Sequence, residues 1–393
     1  MYQFKIKTYA SSFYLAVLLV VAMSFQSLFS SVYAQEPPRQ EINISEFLLR
    51  LFPVQSENSE NTDLYESMLM LYTNPLDLNV VTRDELAATF ILSESQLNSF
   101  FEYRKNIGSF LSSYELQAIP LFDLQTIRNL APFVSVAPKP ISLKNSFQNP
   151  TQNFLIVRSS KLLEQQKGFS AIDTTSRSNT RYAGMPWNGY VRYRNSRSGV
   201  YSVGFTLEKD GGEVFWNWNP KKQIFGIDFT SFHVQLMNRG RLKNLIIGDY
   251  QMQAGQGLVM ASGFSLGKGA EVIRTTYRST LGLRPYTSAL EANYFRGVAA
   301  TYNLGSQIDL TLLYSHTRRD ASTGEGTADP DQLIVSSLVL SGYHRTPSES
   351  AKHGIIPEQS MGFHLLKKWA RQRGQVGLTL LNTLYGATLT RKD

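Results

Sequence analysis

The hydrophobic pattern along the chain changes period twice, and each change marks a segment. Lys5 and Lys7 precede an apolar run from Phe13 to Met23, and no charge follows before Glu36. With Val32-Tyr33-Ala34 behind it, this is a positive head, a short apolar run and an A-x-A-like cut, which predicts an export signal over residues 1–34. The competing reading is an uncleaved anchor, for which the run is short against the roughly 20 apolar residues of a span. From residue 35 the period is helical. Ile44, Phe47, Leu48 and Leu51 form one stripe and Leu64, Met68, Leu71 and Tyr72 another, giving an N-terminal helical segment over 35–73. Asn74-Pro75 breaks it. Beyond the break, Thr82 and Glu85 have capping-box spacing, and apolar residues recur at Leu97, Phe100 and Phe101. A last helix is expected from Leu124 to Leu130, ending at Ala131-Pro132, so a second helical domain covers 74–137.

Pro138, Pro140, Asn145, Asn149 and Pro150 mark a linker over 138–152, after which the period becomes two. Tyr201, Val203, Phe205 and Leu207 alternate with Ser202, Gly204, Thr206 and Glu208. Upstream, Trp187, Gly189, Val191 and Tyr193 alternate with Tyr190, Arg192 and Arg194, and Asn195 to Ser198 supplies the turn of a β-hairpin. Ile308 to Ser315 alternates as cleanly; Leu242 to Met252, Tyr294 to Leu304, Leu333 to Tyr343 and Val376 to Leu389 do so less regularly. Strands of this length with aromatic ends and one small-residue face predict an outer-membrane β-barrel over 153–393. Thr317 to Asp331 and His344 to Gln359 would be its extracellular loops. A soluble β-sandwich or an extracellular β-solenoid alternates as well and is the competing reading. The expected fold class is therefore α+β and multidomain: an N-terminal all-α domain, then an antiparallel transmembrane-type β-barrel. The segment allows at most about ten strands, and it ends Leu389-Thr-Arg-Lys-Asp393 without a terminal aromatic. The expectation is thus a truncated barrel with an exposed edge.

Composition narrows the classes. With 42% hydrophobic and 12% aromatic residues the chain is too apolar for a disordered tail, and its polar interruptions exclude a bundle of membrane helices. The absence of cysteine excludes disulfides, thiolate metal sites and cysteine nucleophiles. A net charge of +8 suggests nucleic acid until its distribution is counted. Residues 36–140 hold seven basic and fourteen acidic side chains, whereas 141–393 hold thirty basic and seventeen acidic ones. Of 27 glycines only Gly108 precedes residue 141. The acidic helical part and the basic sheet part are distinct, and Lys and Arg in a lumen or in loops can face water and anionic lipid.

The acidic segment carries Leu78, Asn79, Thr82, Glu85 and Leu86, then Tyr103, Arg104, Gly108 and Phe110, then Glu115-Leu116, then Ile127 to Pro132-Phe133. In this order they resemble the tandem helix-hairpin-helix domain of competence-type DNA-binding proteins. The resemblance implies nucleic-acid contacts at Ile91 and Ser93 in one turn, at Leu121 and Asp123 in the other, and from Arg104 and Lys105. In that family a Gly-hydrophobic-Gly turn lends backbone N–H groups to a phosphate, and glycine permits the close approach. Here Ile91-Leu92-Ser93 and Leu121-Phe122-Asp123 replace both glycines, Asp123 adds a negative charge, and the segment is net acidic. A polyanion is repelled by such a surface. Gly248-Asp-Tyr250, Gly255-Gln-Gly257-Leu258, Gly267-Lys268-Gly269 and Phe295-Arg296-Gly297 resemble a block in exported proteins that join such a domain to a barrel. No activity comes with that resemblance.

No catalytic constellation is legible. P-loop spacing around Gly267-Lys268 would put Ser262 and Gly269 at positions that need Gly and Ser/Thr. His233, His316, His344, His353 and His364 include no H-E-x-x-H pattern and no close pair, and no G-x-S-x-G elbow occurs. No metal or cofactor is expected. Asp249, Glu271, Arg274, Glu291 and Arg296 are read as a charge network inside the barrel. The sequence thus points to a non-enzymatic outer-membrane barrel with a periplasmic interaction domain, serving envelope transport, assembly or scaffolding. Its expected partners are membrane lipid and a periplasmic protein. The alternative is a DNA-binding or DNA-uptake protein. An outer-membrane enzyme acting on lipid or glycan is a third reading, which no motif supports.

Overall fold

In a computed structural model of the protein, the residues described are 42–51, 60–73, 75–136, 143–148, 152–171, 180–261, 281–323, 334–369 and 374–389. The expected signal over 1–34, Glu271, Arg274 and most of the linker lie outside them. Helices α1 (Ile44–Leu51) and α2 (Glu60–Thr73) bury Ile44, Phe47, Met68 and Leu71 against Phe133. Pro75 favours an extended residue before it, and strand β1 (Leu76–Asp77) follows, pairing in parallel with β2 (Val134–Ser135). Between these two lie α3 (Arg83–Ala87), α4 (Glu94–Ile107), a 3₁₀ turn over Ser113–Ala118 and α5 (Leu124–Leu130). They enclose a core of Leu78, Leu86, Leu97, Phe100, Leu116 and Leu130.

Helices of five to seven residues do not persist alone in water, so their ends and their core must hold them. Thr82 accepts from Glu85 N while Glu85 accepts from Thr82 N at 2.9 Å. Ser93 with Gln96 and Ser112 with Glu115 repeat this box, and Asp123 caps α5 through Thr126 N at 2.8 Å. Asn79 imitates a strand partner: its Oδ1 accepts from Phe110 N at 2.7 Å and its Nδ2 donates to Phe110 O at 3.1 Å. The all-α description of this segment is therefore corrected. The β1–β2 pair closes the segment, and Leu78 N donates to Ser135 O beside it.

After α6 (Leu143–Gln148) the chain forms one antiparallel sheet. Its strands are β3 (Gln152–Lys161), β4 (Trp187–Arg197), β5 (Tyr201–Lys209), β8 (Phe229–Arg239), β9 (Leu242–Gln253), β11 (Phe295–Gly305), β12 (Ile308–Arg319), β15 (Ile356–Trp369) and β16 (Gly374–Tyr385), each paired to the next. The short strands β6 (Asn217–Asn219) and β7 (Ile224–Gly226) pair with each other. β13 (Ala321–Thr323), β14 (Ile334–Leu338) and β17 (Thr388–Leu389) form a separate small sheet. The described strands form an open antiparallel sheet and not a closed barrel: β3 and β16 stand at its two ends, and no pairing joins them among the described residues. The predicted β4–β5 hairpin forms, but its turn falls at Ser198–Val200, because Asn195, Ser196 and Arg197 continue the ladder with Val203, Ser202 and Tyr201. Of the two expected loops, Thr317 to Arg319 belong to β12 and Ile356 to Gln359 to β15.

The sheet is inverted relative to a soluble one. Ser202, Thr206, Ser231, His233, Thr311, Ser315, Ser360 and His364 lie on one face and are buried. The other face carries Val157, Ile247, Leu312, Met361 and Leu380, all exposed, Leu312 by 55% and Leu380 by 53%. Tight turns close β4–β5, β8–β9 and β11–β12 at one end of the sheet, where the helical segment also sits: Ser198 Oγ donates to Pro75 O at 3.1 Å and Lys368 Nζ lies 3.5 Å from Asp84 Oδ2. The long connections 162–186, 210–228, 254–294 and 320–355 emerge at the opposite end. One of them folds back over the polar face. Its strand β10 (Gly282–Pro285) pairs with the end of β9, Asn244 Nδ2 donates to Leu283 O at 2.8 Å, and Leu283 packs on Ile246, Ala299 and Leu313.

The Asn79 bridge yields a graded expectation. Asn79→Ala removes both bonds to the buried Phe110 backbone and should cost about 2 kcal/mol, whereas Asn79→Asp retains the acceptor and should cost about half of that. Hydrogen exchange at the Phe110 amide measures the difference.

Candidate functional site

Six titratable side chains from three separate connections meet at the long-connection end of the sheet. Glu213 follows β5, Asp228 immediately precedes β8, Glu291 precedes β11 and Asp320 immediately follows β12. His344 and His353 come from the connection before β15, where the short helix α7 (Pro347–Ala351) lies between them. Thr346 caps α7 with Glu349, whose carboxylate also takes Arg345 N at 2.9 Å, so the turn presenting His344 is fixed from its own sequence. Two glycines allow the approach. At Gly342 (φ +66°) a Cβ would lie 3.1 Å from the Glu291 side chain, and at Gly354 (φ +57°) it would press on Lys222 O at 2.8 Å.

His344 is the hub and is buried. Its Nδ1 lies 2.6 Å from Asp228 Oδ2, its Nε2 lies 2.8 Å from Asp320 Oδ2, and its backbone N–H donates to Glu213 Oε1 at 2.9 Å. The ring stacks on that of His353 with centroids 3.7 Å apart. His353 Nδ1 stands 3.8 Å from Asp228 Oδ1, and Glu291 Oε2 stands 3.9 Å from His344 Nδ1. Asp320 Oδ1 accepts from Gly354 N at 2.7 Å, which anchors the second carboxylate.

The electrostatics follow from crowding. Burial opposes charge on His344, but hydrogen bonds to Asp228 and Asp320 overcome it and push the ring up to about 11. Both ring nitrogens then donate, as an imidazolium. Burial and the neighbouring imidazolium lower His353. Burial and the Asp228 charge raise Glu213 to about 7 and hold Glu291 well above the usual carboxylate range. Asp320 stays low despite its burial, because His344 bonds to it. One imidazolium thus faces four carboxylates, and two of these retain protons more readily than carboxylates ordinarily do.

A cleft of about 670 Å³, counting the solvent at its mouth, opens beside the cluster. Asp228, Glu291, Asp320 and His353 reach it from one side, and Lys222, Arg296, Arg318 and Arg319 also line it. Arg319 is held by both oxygens of Glu358 at 2.9 and 3.0 Å, and Arg318 by the carbonyls of Gly354 and Ile355. This arrangement can bind a cation or exchange a proton. Asp228, His344 and His353 each place a donor atom within 4.8 Å of the others, as do Glu291, Asp320 and His344.

Of the charge network expected from the sequence, the structure joins Asp249 and Arg296, bonded at 2.6 and 2.9 Å, with Arg296 also donating to Thr230 O. Glu291 belongs instead to the His344 cluster; Glu271 and Arg274 lie outside the described residues. The residues expected to meet nucleic acid are not drawn into a basic surface. Ile91 packs against the helical core, Ser93 and Asp123 cap α4 and α5, and Arg104 turns inward to Leu78 O and Val81 O at 3.0 and 2.8 Å. Leu121 (φ +68°) and Lys105 are exposed. The sequence reading missed the cluster because eight residues separate its two histidines and its acids lie far from them and from one another in sequence. The available signal was positional, since Asp228 and Asp320 each abut a strand end.

Two expectations follow. His344→Ala leaves Asp228 and Asp320 buried without their common partner and should cost about 3–5 kcal/mol, read by thermal unfolding. A raised folded-state value makes the His344 contribution complete below the free imidazole value of about 6.5 and lost as pH rises toward about 11. In chelator-containing buffer, protease resistance of residues 343–355 should therefore fall across that alkaline range, and should fall less in His344→Gln. Comparison of the chain with family models, with curated proteins and with solved structures gives no match in any of the three.

Proposed function

We propose that the chain is a non-enzymatic outer-membrane protein, in which the antiparallel sheet is the wall of a barrel-type structure and the helical segment is a periplasmic interaction module. Its work would be envelope transport, assembly or scaffolding, with lipid and a periplasmic protein as partners. The observation that carries this reading is the inverted polarity of the sheet. An antiparallel sheet in water buries its apolar face; here the polar face is buried and a continuous apolar face is exposed, far beyond the scattered apolar residues of a soluble surface. Strands of 9–14 residues suit a tilted bilayer crossing. Trp187 and Tyr385 at one end and Trp369 at the other suit the interfacial girdles of such walls. No helix among the described residues is long and apolar enough to cross a membrane, so the strands are what could cross.

The alternative, DNA binding or uptake, draws on the helix-hairpin-helix resemblance. Against it stand the capped helix starts, which leave fewer N–H groups for a phosphate, and the inward-turned Arg104. The two readings separate in a salt-dependent titration of the full chain with duplex DNA, for which no micromolar binding at physiological salt is expected.

Extraction should require detergent, and the folded chain should migrate differently in gels before and after boiling. Leu380→Arg or Ile247→Arg on the exposed face should disfavour bilayer insertion by about 2–4 kcal/mol if the residue sits near the midplane. A monodisperse, detergent-free preparation, or Arg variants that insert as well as the parent, would overturn the proposal.

A further inference from the structure

The geometry points to a second property of the long-connection end: we propose that Asp228, His344 and His353 form a binding site for a divalent transition ion of the zinc class, with Asp320 orienting His344 and Glu291 as the nearest further carboxylate. The inference stands on the loop cluster alone and does not depend on where the sheet resides. Two imidazoles and a carboxylate are the donor set that first-row transition ions prefer, whereas calcium and magnesium select oxygen. The three donors already lie within 4.8 Å of one another, and Glu291 Oε2 is 3.9 Å from the same His344 nitrogen.

The surroundings match a metal site beyond its ligands. His344 offers Nδ1 to Asp228 while its Nε2 is held by Asp320 at 2.8 Å, and Asp320 is itself fixed by Gly354 N. A carboxylate on the far ring nitrogen sets the tautomer and aims the near one at an ion. Asp228, Glu291 and His353 also line the cleft, so an ion there has an entry path and a side open to water. Binding replaces the proton between His344 Nδ1 and Asp228 Oδ2, and widens that 2.6 Å contact to about 3.3 Å, as bonds of about 2.0 Å in a tetrahedron require. The stacked rings must turn apart so that both Nδ1 lone pairs meet the ion.

The test uses the full chain, stripped by chelation, titrated calorimetrically with Zn²⁺ in two buffers of different ionisation enthalpy, with Ca²⁺ and Mg²⁺ as controls. We expect about one zinc per chain with proton release, a rise in thermal midpoint, and no comparable response to calcium or magnesium. Asp320→Asn should weaken zinc by about 10–100-fold, His353→Gln by more, and Lys105→Gln, exposed on the helical segment, not at all. Zinc X-ray absorption of the unmutated chain provides a reading that needs no variant, and should show two imidazole rings in the first shell. Absence of zinc binding, undiminished binding in His353→Gln, or an all-oxygen shell would each overturn the site. The detergent and gel experiments above are unaffected by that outcome, so the two proposals fail separately.

Discussion

Every strand of the large sheet must place one face against protein and the other against its surroundings, and the chain assigns polar side chains to the protein side. This choice governs the rest. A buried polar group without a partner costs roughly 1–3 kcal/mol, so an interior of hydroxyls, imidazoles and guanidinia stands only if its members bond to one another. Several do so across neighbouring strands: Ser202 with His233 at 2.9 Å, Thr301 with Thr311 at 2.9 Å, Ser360 with Thr383 at 2.9 Å and His364 with Thr379 at 2.8 Å. Arg194 Nε reaches Ser202 from β4. Each bond joins residues opposite or near one another in the ladder, so the register that pairs the strands also sets these bonds. A slip by one residue would turn the exposed leucines inward and these groups outward.

The same constraint explains the inward fold of the connection that carries β10. Among the polar positions of the interior, Ile246, Ala299 and Leu313 are apolar, and Leu283 of β10 joins them with Tyr250 and Met252 in one buried cluster. The connection thereby gains a core of its own while its neighbours meet above it at His344. The long-connection end is held largely by charge, and the tight-turn end meets the helical segment through Ser198 with Pro75 and Lys368 with Asp84.

Sequence periodicity made the β4–β5 hairpin and strand β12 legible, because alternation of period two survives whichever face is buried. It did not register β8 or β15. In these strands His233, Gln235 and His364 occupy interior positions, and polar residues there resemble a loop unless the burial is known to be inverted. The capping box at Thr82 was readable because a cap needs only neighbours in sequence. The β1–β2 pair was not readable, since two residues carry no period and their partners are fifty-eight positions away. Asp249 and Arg296 could be suspected as a charge pair, yet Glu291 was assigned to the wrong company. Which connection covers which strand end is decided by tertiary packing, and the histidines' partners follow from that alone.

The cluster at His344 draws on Glu213, Asp228, Glu291, Asp320 and His353, so its parts are spread over more than a third of the chain. Closing so many long loops costs entropy before any contact repays it. The strands between these loops must therefore be registered before the six side chains can meet. The cluster is then among the last features to assemble during folding, and its formation reports that the intervening strands have found their partners.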